Sequence, residues 1–218
     1  MTTPAQDDTA ANRLRRLGWA GAFLLFVLAV TMAYSMWRGA EQRDVMPMPV
    51  LRAVPDFRLT DQTGAEVTRE SLRGKVWVTN FFFTRCTGPC PLLTARMAEF
   101  HKALERAPEV LLVSFSVDPE YDTPEVLSAY ADQWQADPAR WKFLTGDPAT
   151  MTRLVTDGFM QVLEADSVTG EPVHGTMFMM VDGNGMVRGL FNFEDPELLP
   201  KMLMGAGNLL REQGSPSL

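Results

Sequence analysis

Between Leu17 and Trp37 the chain carries no charged residue. At about 1.5 Å per helical residue such a run spans roughly 30 Å, the thickness of a bilayer's hydrocarbon core. The chain therefore divides into a short N-terminal tail, an apolar span and a large remainder. Trp19 sits near one end of the span, with Tyr34 and Trp37 near the other, as expected of aromatic belts at two interfaces. Arg13, Arg15 and Arg16 precede the span, while Arg38 and Arg43 follow it in company with Glu41 and Asp44. The positive-inside bias puts the N-terminus in the cytoplasm and the remainder on the other side. A cleaved signal peptide would have a shorter apolar core followed by a small-x-small site. Thr31-Met32-Ala33-Tyr34-Ser35-Met36-Trp37 offers no such site, so the span reads as an uncleaved anchor. The Arg15-Arg16 pair lacks the flanking residues of a twin-arginine export signal.

The expected organisation is a cytoplasmic tail over 1–16, a transmembrane anchor over 17–37, a linker over 38–54, one domain over 55–212 and a tail over 213–218. The linker carries Pro47 and Pro49. From residue 56 onward strand-like and helix-like segments alternate. Segments 56–60 and 65–68 flank Asp61-Gln62-Thr63-Gly64, and 176–181 and 186–193 flank Asp182-Gly183-Asn184-Gly185; both read as hairpins. The apolar runs 76–83 and 110–117 read as central strands buried on both faces. Leu92, Leu93, Met97, Phe100 and Leu104 recur at helical spacing over 91–105. Thr123-Pro124 opens another helix as N-cap and first residue. Shorter segments follow at 142–144 (strand) and 148–156 (helix), and a last helix at 196–210. The order β-β-β-α-β-α-β-α-β-β-α predicts an α/β fold with helices on both faces of a sheet and a parallel pair joined by a crossover helix. The net charge of −7 excludes a nucleic-acid partner, because phosphate binding needs a basic surface.

The chain has two cysteines, Cys86 and Cys90, in Cys86-Thr87-Gly88-Pro89-Cys90-Pro91. Two cysteines this close point to chemistry rather than to stapling. They fall where a central strand ends and a helix begins, the usual place for ligands and reactive groups in open α/β sheets. A helix N-terminus lowers the pKa of a thiol, and Arg85 next door is positioned in sequence to add to that effect. Residues four apart share a helix face, so the thiols can close a disulfide or grip one ion. The spacing is one residue longer than Cys-x-x-Cys. Two thiolates are soft ligands that favour Cu(I), Zn(II) or iron–sulfur clusters. A cluster would call for four cysteines and a structural zinc for four protein ligands, whereas this chain has two cysteines and two histidines. Two thiolates with one imidazole suit copper. His174, ahead of Gly175-Thr176 and an apolar strand, is the candidate imidazole; His101, beside Lys102, reads as a solvated helix residue.

These residues resemble the Sco (SenC) family of copper-binding proteins involved in cytochrome c oxidase assembly. Three motifs carry the resemblance over roughly residues 54–193, behind one anchor. They are Phe83-Thr84-Arg85-Cys86-Thr87-Gly88-Pro89-Cys90-Pro91, Phe115-Ser116-Val117-Asp118-Pro119-Glu120-Tyr121-Asp122-Thr123-Pro124, and His174-Gly175-Thr176 followed by a strand and Asp182-Gly183-Asn184-Gly185. The resemblance implies a thioredoxin-like fold, with a central mixed sheet flanked by helices and an extra N-terminal β-hairpin. It implies Cys86, Cys90 and His174 as ligands of a copper ion. Asp118 matches an acidic residue that influences the metal from behind the ligands; the competing reading has Asp118 and Asp122 cap a turn and the following helix. The implied setting is a single-pass protein of a bacterial inner membrane with its main domain in the periplasm. Implied partners are a CuA-type oxidase subunit that accepts copper, and other periplasmic copper carriers or thiol reductants. Thr87-Gly88-Pro89 departs from the family, whose members carry an acidic residue between the cysteines, and His-Gly-Thr stands for the more usual His-Ser-Thr.

Two functions follow from the same residues. One is a metallochaperone delivering copper to the CuA centre. The other is a membrane-anchored thiol–disulfide oxidoreductase that keeps the oxidase cysteines reduced, with Cys86 attacking and Cys90 resolving. A peroxiredoxin-like peroxidase fits poorly, because Thr84 stands two residues before Cys86 where that family has a threonine three before. A copper sensor would need a partner protein for its output. Among 14 methionines, Met46 and Met48 are weak candidates for transient copper capture, and Met177, Met179 and Met180 read as strand and core residues.

Overall fold

The computed structural model describes residues 8–41, 47–104, 109–160, 163–165, 172–174 and 177–214, with backbone alone for 8–14, 16, 37–41, 163–165 and 172–174. The chain forms two compact units, residues 1–45 and 46–218. In the first, helix α1 (Asp8–Glu41) contains a 20-residue stretch, Leu17–Met36, long and apolar enough to cross a membrane, with none of it buried by protein.

The second unit is built on an eight-stranded mixed sheet. Its strands are β1 (Arg52–Ala53), β2 (Arg58–Asp61), β3 (Glu66–Thr68), β4 (Val76–Phe82), β5 (Val110–Ser116), β6 (Trp141–Thr145), β9 (Met177–Val181) and β10 (Met186–Asn192), in the order β1-β10-β9-β4-β5-β6-β2-β3. Every residue of β4 is buried, which is why its sequence is mostly apolar, Thr79 and Asn80 apart, and does not alternate. β4 and β5 run parallel from Val76↔Val110 to Phe82↔Ser116, so both strands end level with one another. β6 continues the parallel set beside β5. β9 returns antiparallel beside β4, with Thr79 opposite Met179. The β2–β3 hairpin joins the far edge through β6. Asp61 closes its turn by accepting from the N–H groups of Thr63 and Ala65.

Helix α2 (Cys90–Ala103) links β4 to β5, and α3 (Pro124–Gln133) links β5 to β6. Pro124 occupies the first turn of α3, and the Thr123 hydroxyl accepts from the Val126 N–H as its cap. α4 (Pro148–Arg153) continues into a π-helical turn (Leu154–Gly158) where the sequence suggested one helix to 156. α5 (Leu198–Glu212) packs against α2 and β10. Alternating side chains of β4 serve two cores. Trp77 and Phe81 face Phe159, and Phe81 also meets Phe115. Phe82 turns the other way, against Tyr130 of α3 and Phe143 of β6.

Two features depart from the sequence reading. The end of the segment read as linker is part of the sheet: Arg52 and Ala53 pair with Val187 and Met186. It is held further by Arg188, whose guanidinium donates to the carbonyls of Met48 and Pro49. Proline-rich composition misled here because the partners are supplied by a distant hairpin. The second is a separate two-stranded ribbon, β7 (Leu163–Ala165) and β8 (Pro172–His174), in which His174 lies opposite Leu163; the sequence reading placed no strand there.

Candidate metal and thiol site

The parallel ladder sets the site, since β4 and β5 end side by side and release two loops at one edge. The chain leaves β4 through buried Phe83, turns with the Cys86 N–H donating to the Phe83 carbonyl at 3.3 Å, and enters α2 at Cys90. The β5 loop begins alongside, where the Val117 N–H donates to the Phe82 carbonyl at 2.9 Å. Pro89 and Pro91 flank Cys90 at the helix start, where a missing N–H leaves no helical bond unmade.

Cys86 and Cys90 are both present as thiols, with unequal exposure: Cys86 is half-buried and Cys90 is 1% exposed. Burial pushes the Cys90 thiol well above its ordinary pKa. A hydrogen bond with the Cys86 side chain adds to the rise, while backbone hydrogen bonds at Phe83 and Cys90 pull the other way. The sequence-based expectation of a helix N-terminus lowering this pKa is thus overridden at Cys90 by desolvation, which disfavours the charged form. Arg85 does not serve the thiols either. Its guanidinium pairs with Asp118 at 2.6 Å and lies over the Tyr121 ring, 4.9 Å from the centroid. A Cβ at Gly88 would meet only the Cys86 sulfur, at 3.9 Å, so the inter-cysteine turn has room for a side chain.

Behind the thiols lies a ring of polar contacts that sequence reading resolved only in part. Asp118 holds Arg85, as given above, and its N–H donates to the Ser116 hydroxyl. Asp122, wholly buried, accepts from the Ser116 hydroxyl at 2.5 Å, and from the Thr84 N–H at 3.1 Å and hydroxyl at 2.5 Å. Burial raises the Asp122 pKa, and the hydrogen bonds from Ser116 and Thr84 oppose that rise. Neither carboxylate caps α3, a task taken by Thr123. The signal available in the sequence was the pair of serines, Ser114 and Ser116, at the end of a strand that is otherwise apolar. On the helix side the Thr94 hydroxyl donates to the Cys90 carbonyl and shares a 2.9 Å hydrogen bond with the buried Tyr130 hydroxyl.

Of the histidines, His174 is described by its backbone in β8, and its side chain lies outside the described residues, as do Gly175 and Thr176. His101 is half-buried with its ring 5.7 Å from that of Trp141, rather than solvated. It lies eleven positions along α2 from Cys90, about 16 Å at the helical rise. Among the described residues no group of three His, Cys, Asp or Glu side chains is placed to hold a metal. Two thiols within hydrogen-bonding reach of each other make a soft, two-sulfur donor set, which fits Cu(I) and leaves a third donor to be supplied. Met179 and Met180 are core residues; Met48, packed against the core, donates its N–H to Glu212, and Met46 lies outside the described residues.

Comparison with known proteins gives a consistent picture. A family model described as SCO1/SenC matches residues 48–201. A SCO1 protein homolog of Bacillus subtilis is 32% identical over 146 residues, 66% of this chain and 76% of that protein. A putative copper-binding protein of Stutzerimonas stutzeri is 29% identical over 185 residues, 82% and 87% of the two chains. Among solved structures, a SCO1/SenC family lipoprotein from Bacillus anthracis superposes with a TM-score of 0.68 at 32% identity, over 77% of this chain and 98% of that one. BsSco, described as a member of the Sco family of cytochrome c oxidase assembly proteins with a disulfide switch, gives 0.66 at 29% identity, over 74% and 95%. ScoI of Bradyrhizobium japonicum, solved with copper bound, gives 0.59 at 28% identity, over 69% and 98%.

Proposed function

The chain belongs to the SCO1/SenC family, and from that premise we propose that it carries one copper ion on Cys86, Cys90 and His174 and delivers it to the CuA centre during cytochrome c oxidase assembly. The observation that carries this reading is the pair of thiols, Cys86 and Cys90, hydrogen-bonded side chain to side chain at the edge of the sheet. Copper-binding relatives, and a relative solved with copper, support the choice of metal. In this reading Cys86 and Cys90 lose their protons on binding, His174 completes the donor set, and Asp118 works from behind the ligands by holding the backbone turn at Arg85, the residue before Cys86. Release proceeds by ligand exchange with thiols of the acceptor, for which the half-exposed Cys86 is the accessible end. The N-terminal helix anchors the protein in a bacterial inner membrane, with residues 1–16 in the cytoplasm, 17–37 across the bilayer, and the following segment to 54, whose end joins the sheet as β1, leading into the periplasmic domain.

The test is Cu(I) titration of the reduced full-length chain in detergent against a competing chelator. One ion per chain is expected, with tight binding lost in Cys86→Ser and in Cys90→Ser and weakened in His174→Ala. Wild-type affinity in both serine variants would sink the reading.

The unequal burial of the thiols favours a second reading, a thiol–disulfide oxidoreductase serving the same assembly. The half-exposed Cys86 thiolate attacks a partner disulfide, forming a mixed disulfide and releasing one partner thiol. Cys90 then attacks the Cys86 sulfur, releasing the second partner thiol, so that two electrons pass to the partner and Cys86–Cys90 is oxidised. Cys90→Ser is expected to trap the mixed disulfide, and His174→Ala to leave exchange intact.

A further inference from the structure

Resting on the reading of Cys86 and Cys90 as the working pair, we propose that Asp122 is a positioning residue that fixes the thiol-bearing turn and thereby sets the reactivity of both thiols. β4 and β5 are held by their ladder up to Phe82 and Ser116. Beyond that point the backbone of 83–89 has no strand partner, and the turn must be held by other means. Among the described residues, the contacts that reach Thr84 from outside its own turn come from Asp122, which takes both its N–H and its hydroxyl. The same carboxylate takes the Ser116 hydroxyl, and Ser116 in turn accepts the N–H of Asp118, whose own carboxylate holds Arg85. Residues 84 and 85, immediately before Cys86, are thus gripped by two carboxylates that are themselves tied together through Ser116.

A wholly buried carboxylate is costly unless its acceptor sites are filled, and here both oxygens are filled by groups of the two loops that meet at the thiols. Capping does not account for it, because Thr123 caps α3 with its own hydroxyl. Nor does a lysine or arginine pair with it: no ion pair to Asp122 occurs among the described residues. What its contacts secure is the placement of Cys86 against buried Cys90. Holding two thiols together raises their effective concentration and favours the closed disulfide.

The experiment uses the reduced, metal-free full-length chain in detergent and compares wild type with Asp122→Asn, Ser116→Ala, Thr84→Val and Asp61→Asn. The Cys86–Cys90 couple is equilibrated with glutathione and glutathione disulfide; closing the S–S bond gives up two electrons and two protons, which convert one glutathione disulfide to two glutathiones. Alkylation of Cys90 by iodoacetamide is followed in parallel, at a temperature where circular dichroism shows each variant folded. Asp122→Asn is expected to move the equilibrium at least about tenfold toward the dithiol, about 30 mV for a two-electron couple, and to speed Cys90 alkylation. Ser116→Ala and Thr84→Val should move both in the same direction by less. Asp61→Asn, which removes a buried carboxylate remote from the thiols, should leave both at wild-type values. Wild-type behaviour of Asp122→Asn, or equal changes in Asp122→Asn and Asp61→Asn, would overturn the proposal. If Asp122→Asn does not fold, wild-type behaviour of both hydroxyl variants overturns it. Because no copper is present, a chain that fails the Cu(I) titration but responds here loses the copper reading alone, and the reverse result removes only the role of Asp122.

Discussion

Asp61 and Asp122 are both carboxylates buried within the domain, yet their environments drive them in opposite directions. Burial raises the pKa of Asp61, but hydrogen bonds from the Thr63 and Lys142 side chains and from the N–H groups of Thr63 and Ala65 outweigh it, and the net shift is downward. Asp122 has hydroxyl and N–H donors but no cation, and burial prevails. The signs differ accordingly. Asp61 contributes stability above the unfolded carboxylate value, about pH 4, and loses it as pH falls through its lower folded value. Asp122 favours the fold below that unfolded value and loses the contribution as pH rises through its higher folded one. Asp61→Asn should therefore cost about 1.5–3 kcal/mol at neutral pH, the range for hydrogen bonds to a charged group, and should flatten the acid limb of stability. Urea unfolding of wild type and variant between pH 2 and 7 measures both. An unchanged acid limb would show that Lys142 and Thr63 do not stabilise the charged form.

At the scale of elements, the turn joining β9 to β10 is seated on the turn that leads into β4. The Asp182 side chain closes the first by accepting from the N–H groups of Asn184 and Met186. The Gly74 N–H donates to the Gly183 carbonyl at 2.8 Å. A Cβ on Gly183 would stand 2.9 Å from the Gly74 Cα, a backbone atom that cannot swing aside. Gly183→Ala should cost about 1–3 kcal/mol, the usual price of overpacking, read from the denaturation midpoint. Gly88→Ala, in open space apart from the Cys86 sulfur, should change stability by no more than about 0.5 kcal/mol, as for surface substitutions generally.

Over the domain as a whole, Arg188 joins three distant segments. It pairs with Asp182 at 2.8 Å and with Glu212 of α5 at 2.6 Å, while holding the Met48 and Pro49 carbonyls. Asp182 is 5% exposed and Arg188 10%, so removing the cation strands a buried carboxylate. Arg188→Ala should destabilise the domain by about 3–5 kcal/mol, as for breaking buried pairs. It should also release 47–53 from the sheet edge, detected as faster amide exchange at Leu51 and Val54, which donate to Val187 and Gly185. Loss of stability without faster exchange would show that β1 is held by its ladder alone.

What the sequence determined by itself is what depends on neighbours in the chain. Length and the lack of charge defined the apolar span 17–37, and predominantly apolar runs marked β4 and β5. Thr123-Pro124 marked the start of α3, and the two cysteines fell at a strand-to-helix junction because those two elements are adjacent in sequence. Tertiary structure decided whatever depends on partners far away. Asp122 meets Thr84 across 38 residues, and Arg85 meets Asp118 across 33. Neither choice is written in local periodicity, so Asp122 read as a cap and Arg85 as a neighbour of the thiols. The edge strand β1 takes its hydrogen bonds from β10, more than a hundred residues on, and its own composition reads as linker. The unequal burial of Cys86 and Cys90, four residues apart, is likewise set by tertiary packing and not by their spacing in the chain.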